Sequence, residues 1–170
     1  MQPTQTVLVS LGVNQMLGQA MSDQFDADTW TRQPAPGVNH ALWIMAHIVG
    51  TRRANARHLG IEIPTDAWEQ QAAFGSSCES PETYPAPAKL IAEFQSLGGK
   101  LTEAIGALSE ADWQKTWPGG NPTGKSQSYA EALPFAMTHE TMHLGQLSLM
   151  RRLNGLRGVV DVVMKGPAQG

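Results

Sequence analysis

Residues 128–153 read SYAEALPFAMTHETMHLGQLSLMRRL, and this stretch decides the fold. Ser128 with Glu131 three residues on is a capping box, the mark of a helix N-terminus. The helix continues to about Leu153 and stops before Asn154-Gly155. Pro134 lies inside it and is expected to kink its first turns or delay its start.

Three more segments read as helices. The first covers residues 4–24, with Leu8, Leu11 and Met21 among its apolar positions. The second, NHALWIMAHIVGTRRANARHLG, starts with Asn39 as N-cap and stops at Gly60. The third follows the PAPA turn; Leu90, Phe94, Leu97, Leu101, Ile105 and Leu108 step by four and three along one stripe. Stretches 25–38, 61–86 and 114–127 are rich in Pro, Gly, Ser and Asn and read as loops. No alternating pattern is strong enough to build a sheet. The expected fold is all-α, a four-helix bundle, in a single domain over residues 1–170.

Composition narrows the function. The formal charge of −3 suggests neither a nucleic-acid groove nor a polybasic membrane patch. No apolar run approaches transmembrane length. The N-terminal MQPTQTVLVS lacks the basic and apolar regions of a signal peptide. The one cysteine, Cys78, cannot form an internal disulfide, which fits a reducing compartment. A cytoplasmic protein is expected, and Cys78 reads as an inert loop thiol.

The chemistry lies in the five histidines. His139 and His143 are one helical turn apart, so both imidazoles can grip one ion. Their neighbourhood is apolar (Phe135, Met142, Leu147, Met150), and a metal offsets the cost of burying two imidazoles there. A tight site needs a third ligand. His40, His47 and His58 fall near one face of the second helix. His40 sits at its start, where a solvated or capping role fits. His58 sits at its end, where an imidazole suits the helix dipole. Only His47 is level with the pair, so His47, His139 and His143 are the expected metal ligands. An imidazole-only set suits one divalent Zn or Ni ion per chain and disfavours Mg or Ca.

Two motifs point elsewhere and fail on context. HETMH (139–143) fits H-E-x-x-H, the zinc signature of metalloproteases. Those enzymes take a third ligand downstream, yet after His143 the only carboxylate is Asp161, in a short Val-rich tail with no clear helix. Glu140 could reach a water on the ion or form a salt bridge to another helix. GGNPTGKS (119–126) fits the phosphate-binding loop, but the preceding ADWQKTWP is no buried strand. It reads as a turn, with Lys125 a candidate for the mouth of a pocket.

HETMHLGQLSLMRR, NHALWIMAHIVGTR with Trp43 and His47 in register, and APAKLIAEFQSLGGKLTEAIGALSEADW together resemble the DinB/YfiT superfamily of metal-binding helical bundles. The likeness spans nearly the whole chain. It implies an up-down-down-up topology, often a homodimer, and the same ligands, His47, His139 and His143. Gly145 and Gln146 match the family motif; Gln146 reads either as a support for His143 or as a solvated polar residue. Members of the superfamily include transferases and isomerases that use low-molecular-weight thiols. Three imidazoles leave a position on the ion open, which marks catalytic sites. Three functions are therefore carried: a metal-dependent small-thiol transferase, a hydrolase using a water on the ion, and a non-catalytic metal-binding stress-response module. The expected partner is a small-molecule substrate, with a low-molecular-weight thiol as the candidate.

Overall fold

The computed structural model describes residues 3–78, 80–120 and 124–165, and among these the regular elements are all helical. Four long helices form the bundle: α1 (Pro3–Met21), α3 (Ala41–His58), α5 (Pro87–Gly106) and α7 (Tyr129–Leu153). Short helices join or flank them: α2 (Ala27–Thr31), α4 (Trp68–Gln71), α6 (Glu110–Gln114) and α8 (Val159–Lys165). The long helices pack as a ring, α1 against α5, α5 against α3, α3 against α7 and α7 against α1. That is the up-down-down-up bundle. The long 59–86 connection is what lets α3 and α5 run parallel. No described helix is long and apolar enough to cross a membrane.

The apolar stripe of α5 is buried as expected at Leu90, Phe94, Leu97, Leu101 and Ile105, while Leu108 falls just beyond the helix. α7 begins at Tyr129 despite Pro134, so its start is not delayed. The Glu131 carboxylate accepts from the Ser128 N–H at 2.8 Å, closing the expected box. α3 starts one residue later than Asn39 predicts. His40 is the cap, its Nδ1 accepting from the Trp43 N–H at 2.9 Å. Asp161 lies in α8, a helix that the Val-rich tail did not suggest; Val159 and Val162 bury one side of it.

One arginine ties the four long helices together. Arg52 on α3 is 1% exposed and grips Glu140 on α7 with two 2.7 Å bonds. Its remaining Nη1 donates to Gln15 Oε1 of α1 at 2.6 Å and to the Phe94 carbonyl of α5 at 2.7 Å. The guanidinium also lies 3.5 Å over the Phe94 ring. Two glycines make room for this junction. A Cβ on Gly98 would strike the Gln15 amide, and one on Gly18 would strike the Phe94 ring.

Candidate metal centre

His47 comes from the middle of α3, and His139 and His143 from successive turns of α7. The ring between these adjacent helices closes on them: one nitrogen of each lies within 4.8 Å of those of the other two. His139 Nε2 is 3.3 Å from His47 Nε2 and 3.1 Å from His143 Nε2. Two nitrogens each bound ~2.0–2.1 Å from a tetrahedral ion stand ~3.3 Å apart, so the spacing fits.

Proton counting gives an independent test of that fit. His47 Nδ1 lies 2.6 Å from the Ala72 carbonyl, an acceptor only, so Nδ1 carries the hydrogen. His143 Nδ1 likewise donates to Gln146 Oε1 at 2.7 Å. Both Nε2 atoms are then bare lone pairs facing His139 Nε2, which has at most one hydrogen for two acceptors. At least one lone pair goes unmet among the protein's own groups, and a cation satisfies all three.

The electrostatics agree. Burial pushes the His47 imidazole down to about 4, outweighing the pull of the Ala72 carbonyl, and the other two histidines lower it further. Burial also lowers His139, with His143 adding to the effect and Glu140 opposing it. His143 is lowered by burial against the opposing bond to Gln146. Neutral rings with fixed tautomers are what a metal requires. Trp43 stacks flat on His47, 5.0 Å between centroids at 5°, and Phe135 stacks on His139 at 6.2 Å.

The triad opens into a cavity of about 530 Å³ lined by α3, α4, α7, the 72–75 segment and Trp117, Gly120 and Gln127. Phe135 and Met142, read from sequence as apolar surroundings, stand at its mouth and are 52% and 55% exposed. Lys125 is exposed and does not line the cavity; Gly120 and Gln127 of the same loop do. The motif at 119–126 follows only an isolated Thr116–Ser128 bridge, and its residues 121–123 lie outside the described part. Glu140 points away into its pair with Arg52, so the structure shows the salt bridge rather than a carboxylate facing the triad. His58 lies under the Trp117 ring at 5.0 Å and buttresses the cavity wall. Cys78 is half-buried and outside the lining.

Three site features had weak or no sequence signal. The Ala72 carbonyl that orients His47 is backbone and leaves no trace. Glu69 reaches the lining from what read as a loop. Arg52 sat in an RR pair that looks like a solvated face.

The fold is shared with YfiT from Bacillus subtilis, described as a probable metal-dependent hydrolase with an unusual four-helix bundle topology. The two superpose with a TM-score of 0.70 over 91% of this chain and 89% of that one, at 15% identity. A search of the curated proteins finds no match. The profile of the DinB superfamily matches residues 15–147, which contain the triad, the Arg52–Glu140 pair and most of the bundle: the chain belongs to the DinB superfamily.

Proposed function

We propose that the chain is a metal-dependent enzyme acting on a small molecule, with His47, His139 and His143 holding one Zn or Ni ion and a thiol transfer as its reaction. The observation that carries this is three Nε2 lone pairs converging at the base of an open cavity. When bound, the ion supplies a Lewis acid that lowers the pKa of a thiol at its free position. The protein's own groups do the rest. Ala72 and Trp43 fix the His47 ring, Gln146 fixes His143, and apolar side chains make up most of the cavity wall. Thr51 and Asn55 are uncharged polar side chains of the lining that can orient a substrate.

The choice of thiol over water rests on Glu140. A hydrolase profits from a carboxylate base beside the ion, and both oxygens of Glu140 are occupied by Arg52. A thiol ionised at the ion needs no such base. Hydrolysis is the second reading, supported by the fold shared with YfiT and by Glu69 in the cavity lining. Cytoplasmic location and a homodimer complete the proposal; light scattering measures the second directly.

Metal analysis is the first test. Purified protein should hold about one divalent ion per chain. His47→Ala, His139→Ala and His143→Ala should each lose it, while His40→Ala and His58→Ala keep it. Cobalt-substituted protein should then change its visible spectrum when a thiol is added. If no thiol perturbs the spectrum or supports conjugation of an electrophile, the transferase reading falls and hydrolysis moves ahead.

A further inference from the structure

The cavity wall is aromatic and carries no cation. Trp43, Phe74, Trp117 and Phe135 line it with Met142, and no Lys or Arg is present among its described lining residues. Glu69 is the only carboxylate among those described residues. It is already matched by Arg53 at 2.9 Å, Arg57 at 2.5 Å and the Asp66 N–H at 2.9 Å. Arg53 is shared further with Asp66 and Glu93. That cluster sets two guanidinium groups against three carboxylates, so it leaves a negative balance behind the wall. Arg52, on the same helix as Arg53, is buried and neutralised by Glu140.

From this we infer that the site takes a molecule with a single metal-binding head and an uncharged, aromatic or apolar body, and rejects molecules whose body carries carboxylates. The inference rests on the proposed metal triad for the head and on the wall alone for the body. Imidazoles ligate a metal as neutral donors, so a bound ion would be the one positive charge among the described groups lining the cavity. With two positive charges it can offset a head group held at its open position, but it offers no direct partner to a carboxylate further along the body. A second carboxylate would lose its water against aromatic rings without gaining a partner, which is costly. An apolar body gains from the same surface, and Phe74, 86% exposed at the rim, loses its own exposure when the cavity fills.

Two measurements separate this inference from the metal reading. In the first, zinc-loaded protein of confirmed metal content is titrated calorimetrically with benzyl mercaptan and with mercaptosuccinate. Benzyl mercaptan should bind at least about tenfold more tightly. Thr51→Lys, which adds a cation to the lining, should narrow that gap about tenfold. Equal or tighter binding of mercaptosuccinate to the wild-type protein overturns the inference and leaves the metal site standing. In the second, the neutral fluorophore N-phenyl-1-naphthylamine is added to metal-free protein shown to be folded by circular dichroism. Enhanced fluorescence that Phe135→Ser weakens is expected. Absence of binding overturns the apolar-body inference whatever the metal result.

Discussion

Arg52 and Glu140 are each nearly inaccessible, at 1% and 4% exposure, and each is the other's partner for charge. Arg52→Met would leave the Glu140 carboxylate buried and unpaired. The expected loss is about 3–5 kcal/mol, read from urea unfolding. Glu140→Gln removes a charge but can keep hydrogen bonds to Arg52; its metal content should stay at the wild-type level, whereas a base or ligand role would lower activity or metal sharply. Gln146 acts one shell outside the triad. Gln146→Leu should weaken metal binding by about 10–100-fold in a chelator competition, with the helix content unchanged. At this scale the sequence was readable where chemistry repeats along a helix. His139 and His143 are one turn apart, and His47 matched them in height. It left Glu140 with two roles because a carboxylate next to a histidine looks the same whether it faces the ion or the core. Its partner lies 88 positions away on another helix, so nothing local distinguishes the two.

The helices were legible in proportion to their local cues. α7 carries a full capping box and ends at a Gly-containing turn, and its observed bounds match. α6 carries the same device in Ser109 and Asp112, yet its five residues give no periodic stripe by which a sequence marks a helix. α8 is held by two buried valines and by Arg151, whose Nε donates to the Arg157 carbonyl at 3.0 Å beside that helix. Those are tertiary causes, invisible in a short tail. At the α1–α5 seam, Gly18 is required because a Cβ would enter the Phe94 ring. Gly18→Ala should therefore destabilise by about 1–3 kcal/mol, despite the better helix propensity of alanine. The 59–86 connection should show its own pH dependence. Burial would raise the Glu69 carboxyl, but Arg57, the Asp66 N–H and Arg53 together hold it below the ordinary value. Its stabilising effect is therefore full above the unfolded carboxyl pKa of ~4.3 and is lost as pH falls through the lower folded value. Glu69→Gln should flatten the fall in Tm below about pH 4.3 relative to wild type. An unchanged acid limb would mean that the cluster contributes nothing to stability.

Across the whole molecule the bundle ring has an uneven perimeter. α3 and α7 touch less extensively than any other neighbouring pair of long helices. The triad sits in that seam, with one ligand from α3 and two from α7. A cavity can exist beside the triad because the helices are not fully closed there. An ion held by the three histidines would cross-link the thinnest side of the ring. It binds the folded state only, since the unfolded chain does not keep residues 47, 139 and 143 together. Folding and binding are then linked, and free metal at about 100 times Kd adds about 2.7 kcal/mol. For a chain of this size that shifts Tm by on the order of 5 to 10 °C. Differential scanning calorimetry of metal-free and zinc-loaded protein measures the shift. In His47→Ala at the same zinc concentration the shift should collapse, because the remaining pair lies wholly within α7 and no longer bridges the seam. A shift of wild-type size in that variant would remove His47 from the ligand set and place the ion on α7 alone.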